Sequence, residues 1–264
     1  KIINTSVLIQ NPVLLSHPLN MIYRKGENML DLWIITAYGF FVGVIGTGLG
    51  GLASLFIWNT DRVLSFLLGL TGGFMLFIVT FHLLPESFIL GGYYPSIIGI
   101  VCGILLVIYI ESNISLKSDN PFFKSSLLLG ISIAVHNFPE GLALGSSFLV
   151  QSDLGPLLSL AMLLHNIPEG LAMALPLKVG KKSPLRIVLY TLLIGIPTGI
   201  GAFLGAYIGM ISNMFISLCL AFAGGTMLYI ITDEIIPNAK TLHTGRASSI
   251  GMVLGFIIGI LLYY

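Results

Sequence analysis

Two near-copies of one hexapeptide, His136-Asn137-Phe138-Pro139-Glu140-Gly141 and His165-Asn166-Ile167-Pro168-Glu169-Gly170, carry the chemistry of this chain. Each sets an imidazole and a carboxylate at i and i+4, which share one face of a helix, with an amide beside the imidazole. Both copies sit inside strongly apolar stretches. An acidic residue at the centre of a membrane helix costs about 2.5–3.5 kcal/mol on insertion scales. Two such helices face to face would offer nitrogen and oxygen donors to a divalent cation, whose charge offsets that cost.

The rest of the chain supplies the membrane setting. It is 56% hydrophobic and 9% charged, with a mean hydropathy of +0.99, whereas a soluble domain carries about 25% charged residues. A net charge of +1 supports neither a nucleic-acid partner nor a polybasic surface. Cys102 and Cys219 stand singly in apolar runs and read as helix-packing residues. Gly46-Thr47-Gly48-Leu49-Gly50-Gly51 matches the dinucleotide fingerprint in letters. It has no strand before it, so its glycines are assigned to close helix packing instead. No ATPase motif is present, so movement of a solute must run down, or be coupled to, a gradient.

A bilayer-spanning helix needs about 20 apolar residues. Eight runs qualify: 31–57, 62–90, 95–111, 124–151, 155–177, 184–210, 213–238 and 248–264. The fold class expected is an all-α, multi-pass integral membrane protein. Residues 1–30 read as an extramembrane tail, and 31–264 as one transport domain. With eight spans, the loops after helices one, three, five and seven share a side. That side holds nine basic residues (Arg62, Lys117, Lys124, Lys178, Lys181, Lys182, Arg186, Lys240 and Arg246), against three in the tail, Lys1, Arg24 and Lys25. The positive-inside rule places those loops in the cytoplasm and both termini outside.

An internal repeat runs through these spans. One fixed shift lays Gly72-Gly73-Phe74-Met75-Leu76 on Gly224-Gly225-Thr226-Met227-Leu228. The same shift lays Thr80, Pro85, Gly99 and Gly103 on Thr232, Pro237, Gly251 and Gly255. Gly46-Thr47-Gly48-Leu49-Gly50 matches Pro197-Thr198-Gly199-Ile200-Gly201 at nearly that shift. Helices one to three thus repeat as six to eight, five spans later and therefore inverted. Inverted repeats are a transporter plan, with the site near the midplane. The hexapeptides fall on the middle pair, giving a 3+2+3 arrangement. Helix two closes on His82-Leu83-Leu84-Pro85-Glu86 and helix seven on Asp233-Glu234-Ile235-Ile236-Pro237. On the topology above, His82 and Glu86 lie toward the outside, and Asp233 and Glu234 toward the cytoplasm. Cation-attracting groups then mark an entrance, a midpoint and an exit.

The paired His-Asn-x-Pro-Glu-Gly stretches on consecutive helices resemble the signature of the ZIP family of divalent metal-ion transporters, and the likeness covers residues 30–264. The resemblance implies metal movement into the cytoplasm, homodimers, and metal ligands at His136, Asn137, Glu140, His165, Asn166 and Glu169. A prokaryotic-type member in a bacterial cytoplasmic membrane is expected. Members with a two-metal centre carry a Glu-Pro stretch in helix six. The comparable stretch here reads Gly195-Ile196-Pro197-Thr198-Gly199, without a carboxylate, which implies one principal ion with Thr198 beside it. The segment Ser112 to Phe123 is short and lacks histidine, unlike the long His-rich loop of many members.

Two other function classes use the same residues. An intramembrane metalloenzyme would activate water on a bound zinc, but the chain has no His-Glu-x-x-His helix and its ligand sets are doubled. A proton-coupled transporter of another solute would use the His-Glu pairs as a relay. Imidazole and carboxylate suit zinc first, then iron(II), manganese, cobalt or nickel, with cadmium as a passenger. No cofactor is expected; the metal is cargo, and lipid is the other partner.

Overall fold

The structure is a computed structural model, and it describes residues 27–57, 61–113, 121–150 and 154–263. Most of the expected tail, the punctuating residues Asn59, Thr60 and Gln151 to Asp153, and the loop containing Lys117 lie outside the described residues. Among the described residues every regular element is a helix.

Eight rods account for them. Helix α1 comprises Glu27–Phe40, a wide π-helical turn Phe41–Ile45, and Gly46–Phe56; α2 comprises Asp61–Ile78, a π turn Val79–Leu83, and Leu84–Gly91. Single helices α3, α4 and α5 are Tyr93–Asn113, Pro121–Ser147 and Leu154–Val179. Helix α6 is broken into Pro184–Ile194 and Ile196–Gly209; α7 comprises Asn213–Ile230, a π turn Ile231–Ile235, and Ile236–Leu242; α8 is Ala247–Tyr263. Seven of these, α1 to α7, are long and apolar enough to cross a membrane, and the apolar stretch of α8, Ala247–Leu261, is shorter. Each of the eight expected runs coincides with one rod.

The π turns of α2 and α7 have a common cause. Proline donates no hydrogen bond and its ring crowds the carbonyl four residues back. Pro85 and Pro237 each stand just after a π turn, in which Leu84 N–H reaches the Val79 carbonyl and Ile236 N–H reaches that of Ile231. The extra residue in the turn lets the helix pass the proline without stopping. The two π turns occupy the same place in the repeat, so equal sequence has produced equal distortion.

Packing follows the repeat as well. Helix α2 lies against α8, α3 against α7, α1 against α5 and α4 against α6. Exchanging one to three for six to eight, and four for five, converts each of these pairs into another. Small residues set the closeness: Gly73 lies on the carbonyl of Met252, and Gly225 on that of Ile100. Those four positions correspond under the repeat. At the centre Met75, Ile78, Met227 and Ile230 are fully enclosed between α2 and α7.

One cationic contact joins the sheath of helices at one end. The Lys178 ammonium on α5 donates to the carbonyls of Ser54, Leu55 and Ile57, at 2.7, 3.2 and 3.0 Å, where α1 ends and its last carbonyls have no helical donor. Hydrogen bonds from charged groups are worth about 1.5–3 kcal/mol. Replacing Lys178 by Met, which keeps the stem but removes the donors, is expected to lower stability by about that amount. Thermal melting of the purified protein checks this, and an unchanged midpoint would mean that the ammonium caps nothing in solution.

Candidate metal centre

Helices α4 and α5 carry the two hexapeptides near their middles, with Pro139 and Pro168 inside the helices. Each proline removes the N–H that would bond the carbonyl one turn earlier, opening the backbone beside the motif. The polar groups of the motifs are deeply enclosed. Asn137, Glu140 and Asn166 are 0% exposed, His136 and His165 are 2%, and Glu169 is 3%.

Each histidine pairs with the glutamate of the other helix rather than with its own. His136 Nε2 is 3.2 Å from Glu169 Oε2, and His165 Nε2 is 3.1 Å from both carboxylate oxygens of Glu140. These reciprocal contacts fasten α4 to α5. Ligand atoms of Glu140, His165 and Glu169 all lie within 4.8 Å of one another, and His136 joins the group through Glu169. Coordination by such groups takes place at about 2.0–2.2 Å. A small cation between them would replace the His-Glu hydrogen bonds with metal bonds to the same lone pairs.

The amides extend the donor set. Asn137 Nδ2 donates to the Ile194 carbonyl at 2.8 Å, and Asn166 Nδ2 to the Val42 carbonyl at 3.4 Å. Their oxygens, together with Glu169 Oε1 and Thr198 Oγ1, are buried without a hydrogen-bond partner. Four buried acceptors without a partner, on α4, α5 and α6, are costly unless something positive meets them.

The other residues singled out in the sequence are distributed around this centre. Thr198 is buried, its side chain packed on Gly43 of α1 and its carbonyl on Gly141 of α4. Glu234, half-buried on α7, accepts a hydrogen bond from Ser132 of α4. Its neighbour Asp233 turns outward and accepts from the Tyr229 hydroxyl at 3.2 Å. His82 is buried on α2, edge-on to Phe77, in a small cleft that also touches Ile78, Leu158 and Ala161. Glu86, one turn on, is half-buried. Under the repeat, His82 and Glu234 occupy the same position on α2 and α7. Ser132 is an addition that the sequence reading missed, although it stands one turn before His136 on the same face. The carbonyls of Val42 and Ile194 were also missed, since backbone groups leave no mark in a sequence.

Seven helices long and apolar enough to cross a membrane, two of them enclosing a buried, doubled His-Asn-Glu set, define a multi-pass integral membrane protein. A sequence profile described as "ZIP Zinc transporter" matches residues 111–263, more than half of the chain. The chain belongs to the ZIP family, whose members are transporters rather than enzymes. It is 30% identical to Zinc transporter ZupT of Shigella dysenteriae over 240 residues, covering 84% of this chain and 89% of the relative. Zinc transporter GufA of Myxococcus xanthus is 38% identical over 141 residues, 53% of this chain and 56% of the relative. Zinc transporter ZIP11 of Xenopus tropicalis is 36% identical over 140 residues, 50% of this chain and 41% of the relative. The chain thus spans about half the length of the last two.

Proposed function

We propose that this protein carries divalent metal ions across a membrane into the cytoplasm, with zinc as the first candidate, through a midplane site on α4 and α5. The observation that carries this reading is the reciprocal pairing of His136 with Glu169 and His165 with Glu140. It brings two carboxylates and two imidazoles to one enclosed point, which is costly in lipid without a cation and suited to one with it. The names of the relatives, all zinc transporters, support zinc as cargo.

In this reading the eight rods form a 3+2+3 plan of inverted repeats, and both termini lie outside a bacterial cytoplasmic membrane. The asymmetry of basic residues supports that orientation. His136, Asn137, Glu140, His165, Asn166 and Glu169 replace water around the dehydrated ion. His82 and Glu86 stand on the outer approach, and Glu234, with Asp233 beside it, on the inner one. Ser132 links Glu234 to the helix that holds the centre, which supports a passage along α4. Release demands that no single station bind too tightly. The outward-facing apolar side chains of α3 (Ile98, Val101, Leu105 and Tyr109) are available to lipid or to a second copy in a homodimer.

Uptake of labelled zinc into proteoliposomes tests the proposal. Saturable uptake, reduced by competing cadmium, iron(II) or manganese and untouched by magnesium, is the expected result. Proton flux without any metal uptake would replace the proposal with the solute-relay alternative. Thr198 supplies no negative charge to balance a second dication. Equilibrium dialysis with metal analysis is therefore expected to find one tightly held ion per chain. Two tight ions would require a further anionic ligand not named above.

A further inference from the structure

The break in α6 lies one helix away from the centre, yet it is connected to it. In an uninterrupted helix the Ile194 carbonyl would accept from the N–H of Thr198. Here Thr198 N–H turns to the Gly195 carbonyl at 3.3 Å, Gly195 N–H goes to Leu192, and Pro197 has no N–H at all. The Thr198 hydroxyl, which could bond back one turn, is buried without a partner. The Ile194 carbonyl receives the Asn137 amide instead, at 2.8 Å.

That contact decides which way the amide is turned. A carbonyl oxygen can only accept, so the amide atom facing it must be Nδ2 and not Oδ1. The oxygen is thereby kept on the other side of the carboxamide, buried and without a hydrogen-bond partner. The same construction recurs in the other half. Asn166 Nδ2 faces the carbonyl of Val42, within the wide turn of α1, and Asn166 Oδ1 has no partner. The Val42 and Ile194 carbonyls receive the corresponding amides of the two motifs, so both halves place a helix irregularity where an asparagine needs an acceptor.

We infer that the Gly195-Ile196-Pro197 break is a positioning device for Asn137: it leaves the Ile194 carbonyl free to hold the amide by its N–H and so presents the amide oxygen to the cation. This rests on the reading of the α4–α5 cluster as a cation site. Its consequence is that the shape of α6 and the ligand set are linked. Straightening α6 at this point would return the Ile194 carbonyl to Thr198 N–H and release the amide.

Zn²⁺ binding to the purified full chain, followed by calorimetric titration, tests this. Pro197→Ala restores a backbone donor and permits a continuous helix. Losing an outer partner of a ligand costs about 10–100-fold in metal affinity, so Pro197→Ala and Asn137→Ala are each expected to weaken binding by at least about tenfold. The double variant should be no weaker than Asn137→Ala alone, because the break then has no amide to orient. Additive losses, or an unchanged affinity in Pro197→Ala, would overturn the inference while leaving the site in place. Glu140→Ala in the same titration separates the two claims, since retained Zn²⁺ binding there would overturn the site itself. A measurement on the unaltered protein covers the case of a variant that does not fold. With ¹⁵N-labelled asparagine, the Asn137 side-chain NH₂ should resist hydrogen exchange before metal is added, and exchange at the rate of a free amide would overturn the inference.

Discussion

Glu140→Ala is expected to abolish saturable cation uptake, and Glu169→Ala to do the same, while both proteins remain inserted and helical. Each carboxylate is enclosed at the α4–α5 crossing and meets the histidine of the opposite helix. Removing one leaves a dication short of the negative charge that compensates for its lost water. Losing even an outer partner of a ligand costs about 10–100-fold in metal affinity, so losing the carboxylate itself is expected to cost at least about a hundredfold. Uptake of labelled zinc into vesicles, with expression and helicity measured beside it, reads this directly. Near-normal uptake by both variants would remove the two glutamates from the centre.

Gly43→Val or Gly195→Val is expected to damage the fold rather than the centre alone. These glycines face each other where α1 crosses α6, and a Cβ on either would fall on the backbone of the other. Neither helix can yield there, since Thr198 and Gly141 close the same crossing from α6 and α4. Overpacking of this kind costs about 1–3 kcal/mol and more where backbone must move, equivalent to about 10 °C in melting temperature for a chain of this size. The outward-facing Leu49→Ala serves as a control. An unchanged melting point in both valine variants would show that the two helices are held apart in solution.

The buried His–Glu cluster was legible in the sequence because its residues are rare in lipid and occur twice. The repeated sequence was legible because glycine and proline are needed at fixed places for backbone reasons, and Gly73 and Gly225 lie on the carbonyls of Met252 and Ile100. Helix ends were less legible. The run expected over 155–177 continues to Val179 and that over 213–238 to Leu242, because hydrogen bonding carries a helix past the residue at which its side chains turn polar. The spacing of His136 and Glu140 correctly puts them on one face, but spacing within a helix cannot reveal that each prefers a partner on the next. Asp233 and Glu234 are adjacent in sequence and about 100° apart around a helix, so only the packing of α7 shows that Glu234 faces α4 and Asp233 does not. The amide anchors on Val42 and Ile194 could not be read at all, since every residue has a carbonyl.

The crossed bonds between α4 and α5 also bear on how the chain is made. Each of these helices carries a carboxylate whose partner is on the other, so the first to leave the ribosome meets hydrocarbon with its polar groups unsatisfied. Neither is suited to partition into the bilayer alone, and only six residues, 148–153, lie between the two helices. Biogenesis would then favour release of the two as a hairpin, with the translocation channel holding α4 until α5 arrives. Membrane integration of α4 would in that case depend on His165 and Glu169, residues that have not yet been synthesised when α4 first emerges.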